Sequence, residues 1–143
     1  MVSQDAHGMT RSVRQPTHFY LDLLPLILFI GSFFCDFLLW PSGSPDWAGP
    51  ALWLIGAGLV MALIAAGIGQ LDWLRGRPVL STPGFGIYIG GIVVGTSIQL
   101  ANWCFRYSQG SSFVVPAGFE LSAFAIFCLL IGAWSGWQMM RQG

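Results

Sequence analysis

Four long apolar stretches, at about 19–40, 51–74, 84–106 and 113–138, leave this chain few folds to choose from. Each is about 20 residues or longer, the length a helix needs to cross a hydrocarbon core of ~30 Å. The segments between them, 41–50, 76–83 and 107–112, are too short to fold alone. The expectation is therefore an all-α integral membrane protein. It comprises a polar tail over 1–17 and one domain, a four-helix up-down bundle, over 18–143.

Charge orients the bundle. There are six arginines and no lysine. Arg11 and Arg14 precede the first span, Arg75 and Arg77 follow the second, and Arg141 follows the fourth. With four crossings those places share one side of the membrane, and only Arg106 falls near the other. By the positive-inside rule both termini are expected to be cytoplasmic. The tail lacks an apolar h-region, so it does not read as a cleavable signal.

Composition narrows the function classes. Charged residues make up 8% of the chain and the formal net charge is zero, so no basic surface exists for nucleic acid. Cys35, Cys104 and Cys128 show no metal-ligand spacing and read as small buried side chains. A Cys35–Cys104 bridge is geometrically conceivable, since both fall toward the outer ends of their helices. Tryptophan forms two belts. Trp40, Trp47, Trp53 and Trp103 fall at the outer boundary, and Trp73, Trp134 and Trp137 at the inner one, as indole prefers the headgroup level.

Local chemistry marks the helix ends. Pro41 and Pro45 are expected to end the first helix and Pro50 to open the second. Ser81 and Thr82 are candidate caps for the third, and Ser111 or Ser112 for the fourth. Pro116 then falls in a first turn, whereas Pro25 lies inside the first span and is expected to kink it. Glycine pairs at small-xxx-small spacing, Gly86/Gly90, Gly91/Gly95 and Gly132/Gly136, predict close helix packing, chiefly within the bundle.

Ionisable groups within a membrane are costly and are functional candidates by default. Aligned by depth, they fall in two layers. The intramembrane cluster is Asp36, Arg106 and Glu120, with Asn102 beside it; a structural clamp is the plainer reading, a proton-relay or ligand carboxylate the sharper one. The inner interfacial cluster is His18, Asp22, Asp72 and Arg75, more in keeping with a topology anchor than with catalysis. No nucleophile with a convergent base, phosphate loop or zinc motif is present, so no enzymatic activity is expected. His7 and His18 are the only histidines, and neither lies inside the bundle. A bis-histidine haem within one protomer is therefore not expected, and no protein-ligated cofactor is predicted. His18 stays a candidate for a haem shared across a dimer, and contact with quinone, pigment or lipid stays open.

Thr17-His18-Phe19, Leu24-Pro25, Gly31 and Asp36 in the first span, the stretch from Ala62 to Gly69 followed by Asp72, and Arg106 closing the third together resemble an uncharacterised bacterial membrane family, domain of unknown function 2231. The resemblance covers roughly 16–106. It implies a multi-pass four-helix bundle of the bacterial inner membrane, often found beside or fused to redox proteins. The family usually carries a histidine early in the third helix. Here that stretch reads Phe85-Gly86-Ile87-Tyr88-Ile89-Gly90, which shifts weight toward a structural role.

The leading expectation is a non-catalytic accessory subunit of a larger membrane complex, respiratory or photosynthetic. Its partners would be the lipid bilayer and other membrane subunits reached through helix–helix contacts. A membrane redox anchor passing electrons to quinone through His18 is the alternative. A small homo-oligomeric proton-coupled transporter or channel, with Glu120 as the coupling carboxylate, is the third.

Overall fold

The computed structural model describes residues 17–74, 83–109 and 114–142. Four long helices account for nearly all of them: α1 (Thr17–Ser42), α2 (Ala48–Leu74), α3 (Pro83–Gln109) and α4 (Phe119–Gln142). No strand occurs among the described residues. All four helices are long and apolar enough to cross a membrane, over Leu23–Ser42, Ala48–Leu71, Gly84–Gln109 and Pro116–Met139. The four-helix membrane fold expected from the sequence is the fold observed.

Several helix ends reach beyond the apolar stretches, while α4 starts at Phe119 rather than near 113. Pro41 lies inside the last turn of α1 rather than after it. What stops the helix is Gly43, which takes a left-handed φ of 61° and returns its N–H to the Leu39 carbonyl at 2.9 Å. Glycine adopts that conformation without the Cβ clash that other residues meet. The Ser42 hydroxyl donates to the Leu38 carbonyl at 2.6 Å, satisfying one more exposed acceptor. Ser44 then accepts from the Asp46 N–H and donates to the Asp46 carboxylate, closing a single 3₁₀ turn at Pro45–Trp47. That turn runs directly into α2, so Pro50 sits inside the first turn of the helix instead of starting it. Pro116 lies in a π-helical turn (Val114–Gly118) that feeds α4. Pro25 is buried within α1, which continues through it as one helix. The proposed caps Ser81, Thr82, Ser111 and Ser112 lie outside the described residues.

Packing is pairwise. α1 lies chiefly on α2 and α3 chiefly on α4, while α4 touches α1 and α2 touches α3 more lightly, leaving α1 and α3 across the diagonal. The α3–α4 pair is close because its contact is made of glycine. A Cβ added at Gly91 would lie 2.6 Å from the Cys128 carbonyl oxygen and 2.8 Å from the Gly132 Cα. One at Gly95 would lie 2.9 Å from the Ala125 carbonyl oxygen. In lipid, association depends on such close approach, since the hydrophobic effect hardly distinguishes a neighbouring helix from acyl chains. In the α1–α2 pair the fully buried ring of Phe29 lies over Gly58, where a Cβ would fall 2.5 Å from the ring. Gly58→Ala is expected to push that ring aside and to cost about 1–3 kcal/mol. Adding Phe29→Leu to the same chain should recover part of the loss, both being read as unfolding midpoints in micelles.

The glycine pairs divide. Gly91, Gly95 and Gly132 serve packing within the bundle, and Gly136 is buried. Gly86 and Gly90 do not: both are exposed, with nothing within 4 Å of an added Cβ. The reason is angular. At 100° per residue Gly90 and Gly91 cannot face the same neighbour, and Gly91 is the one turned to α4.

Candidate functional site

At the end of the bundle away from the termini, three helices project polar side chains into the core. α1 supplies Asp36, α3 supplies Gln99, Asn102 and Arg106, and α4 supplies Ser122. All are buried, Arg106 at 4% exposure and the others at 0%. On α3 the spacing of three and four residues stacks the three polar groups along one helix face.

Arg106 and Asp36 form a two-pronged ion pair, Nη1 to Oδ1 at 2.6 Å and Nη2 to Oδ2 at 2.5 Å. The planar guanidinium matches a carboxylate in this geometry, which a lysine ammonium could not reproduce. Two of the three remaining N–H donors of Arg106 are used as well. Nε donates to Asn102 Oδ1 at 3.0 Å, and Nη2 also reaches Ser122 Oγ at 3.3 Å. Asn102 Nδ2 in turn donates to Ser122 Oγ at 2.9 Å, and lies 3.3 Å from both the Gly118 carbonyl and Gln99 Oε1. Ser122 completes the circuit by donating to Asp36 Oδ2 at 3.4 Å. Charge balances within the cluster, and α1, α3 and α4 are tied together by it. Because α1 and α3 lie on the diagonal, the pair fastens the α1–α2 hairpin to the α3–α4 hairpin where helix contact is lightest.

Asp36 and Arg106, expected together from their depth, do meet, and Asn102 joins them. Glu120 does not. It is exposed, because Ser122 two residues later faces the core and two residues turn a helix by ~200°. The Glu120 carboxylate thus points away from the bundle, outside the cluster in which the depth alignment had placed it. Gln99, Ser122 and Ser32 are core polar groups that the depth alignment passed over. The signal for Gln99 was its register with Asn102 and Arg106. Ser122 carried no comparable mark.

The side chains of His18, Asp22 and Asp72, and Arg75 entirely, lie outside the described residues. Among the described residues no group of three or more His, Cys, Asp or Glu side chains is placed to hold a metal ion. Cys35, Cys104 and Cys128 are all free thiols, so the conceivable Cys35–Cys104 bridge is not formed. Near the opposite end, the Ser135 hydroxyl donates to the Gly84 carbonyl at 2.8 Å, a second polar tie between α3 and α4. Arg141 lies 4.6 Å over the Trp137 ring, an interfacial cation–π contact at the end of α4. A shallow apolar groove between α1 and α4, lined by Phe37, Trp40, Pro41 and Phe119, completes the relief at the ion-pair end.

No curated protein and no solved structure matches the chain. One family model does match it, over residues 14–142, which carries the likeness through α4 and beyond the 16–106 reached by the sequence motifs. The chain therefore belongs to the membrane-protein family described as Predicted membrane protein (DUF2231).

Proposed function

We propose that this protein is a non-catalytic accessory subunit of a larger membrane complex, held in a bacterial inner membrane with both termini on the cytoplasmic side. The observation that carries the reading is the outer face of α3. Gly86, Gly90, Val93, Ser97 and Ala101 lie along one line of that helix, all five are exposed, and all but Val93 are small. Gly86 and Gly90 have open space above them. The opposite side of the same helix uses Gly91 and Gly95 to bring α4 close. A second line of small residues on the outward side offers the same close approach to an apolar transmembrane helix of another chain.

The polar core supports this reading. Arg106 and Asp36 are paired to each other and hydrogen-bonded to Asn102 and Ser122, as a fastening requires. An energy-converting complex as the setting rests on the company of redox proteins implied by the family resemblance.

The test is native mass spectrometry of the tagged chain, extracted gently from its own membranes. Other membrane subunits in the same particle are expected, and a lone copy or homo-oligomer would overturn the proposal. Gly86→Ile with Gly90→Ile should remove those subunits from the particle. The same pair should shift the bundle's own unfolding free energy by no more than about 1 kcal/mol, since exposed helix glycines contribute little.

A further inference from the structure

Two polar atoms in the middle of the bundle have no hydrogen-bond partner among the described residues: the Ser32 hydroxyl and the Gln99 side-chain nitrogen. Both residues are fully buried. The direction of the Gln99 amide is forced. Arginine has only donors, so Asn102 must turn its Oδ1 to Arg106 Nε. Its Nδ2 then faces Ser122 and Gln99, and Gln99 must answer with Oε1. Flipping the Gln99 amide would set two N–H groups against each other. The Nε2 group, with two donors, is thereby left facing the core.

The two groups also share a depth. α1 and α3 run in the same direction, and Ser32 precedes Asp36 by four residues, or ~6 Å along the helix. The Arg106 side chain lies back along α3 toward Asn102, so the ion pair sits between the levels of those two residues. Gln99, three residues before Asn102, is about one turn below the pair, as Ser32 is. Ser32 shares a helix face with Asp36, and Gln99 shares one with Asn102 and Arg106. Both groups therefore belong to the inward lines of the two diagonal helices.

We infer that Ser32 and Gln99 bind one internal water molecule beneath the Asp36–Arg106 pair. Gln99 Nε2 donates to the water oxygen, and one water O–H donates to Ser32 Oγ. Leaving the amide nitrogen and the hydroxyl unpaired in an apolar environment is costly, which gives the site a strong preference for an occupant. The chemistry selects a small neutral one. The charge of Arg106 is already balanced by Asp36, so an anion gains nothing, and a cation would meet N–H donors from Gln99. Complete burial of both residues excludes a larger molecule. Water has the required size and offers both a donor and an acceptor.

The test is water-edited solid-state NMR of the full ¹⁵N-labelled chain in lipid bilayers. The Gln99 side-chain signal is assigned by its loss in Gln99→Met. Magnetisation from water is expected to reach Gln99 Nε2–H₂ while the buried Phe29 and Ile55 amides stay dark. Ser32→Ala should cut that transfer by about half or more, since it removes one of the water's few partners. A Gln99 side chain as dark as Ile55 would overturn the inference, and so would a signal indifferent to Ser32→Ala. If Ser32→Ala fails to fold, the wild-type spectrum still decides between a wet and a dry site.

Discussion

Asp36→Leu and Arg106→Leu, made singly, are each expected to destabilise the bundle by about 3–5 kcal/mol, the largest effect of any single change in the polar core. The cost arises from what remains. Either substitution leaves one charge buried in the bundle with its main partner gone. Arg106 at 4% exposure and Asp36 at 0% cannot recover solvation without opening the helix pairs. Replacing both, as in Asp36→Leu with Arg106→Leu, removes both charges together and should restore most of the loss, because a buried ion pair is itself worth little against apolar packing. Unfolding of the four proteins in the same micelles gives the coupling directly. Additive losses would show that the two side chains are not acting as a pair.

The second large effect belongs to Gly91→Ala. Its Cβ would meet backbone on both counts, the Cys128 carbonyl at 2.6 Å and the Gly132 Cα at 2.8 Å. Backbone cannot swing aside as the end of a side chain can, so α3 and α4 must separate along their whole contact. The expected cost is about 3 kcal/mol, the upper end for overpacking. Gly90→Ala, one residue away, has nothing within 4 Å of its Cβ and should be neutral or slightly stabilising. Thermal unfolding of the two single variants side by side measures this contrast. Equal effects would mean that α3 is rotated from the orientation described.

The fold was legible because hydrocarbon imposes simple demands. Apolar length specifies four spans, and the spans observed differ from those expected only at their ends. Those ends turned on contacts that a residue-by-residue reading does not contain. Gly43 stops α1 only through its left-handed φ, and Pro41 is tolerated inside the last turn. The ion pair was partly legible, since Asp36 and Arg106 share a depth and carry opposite charge. Glu120 was misplaced because depth is only one coordinate. Its rotation about α4 was fixed by Ser122, a residue unremarkable until the core side of that helix is known. The glycines illustrate the same limit: spacing marks Gly86/Gly90 and Gly91/Gly95 alike, and only the position of α4 distinguishes them.

In the accessory-subunit function proposed above, the buried charges fasten the bundle and carry no chemistry of their own. The most direct measurement is native mass spectrometry of the Asp36→Leu/Arg106→Leu chain, extracted gently from its own membrane beside the wild type. A fastening replaced by apolar packing should leave the folded chain in the same particle, with the same partner subunits and the same mass apart from the substitutions. A chain that folds as stably as the wild type yet leaves that particle, or loses a bound molecule the wild type retains, would contradict the claim and make Asp36 and Arg106 the binding site itself.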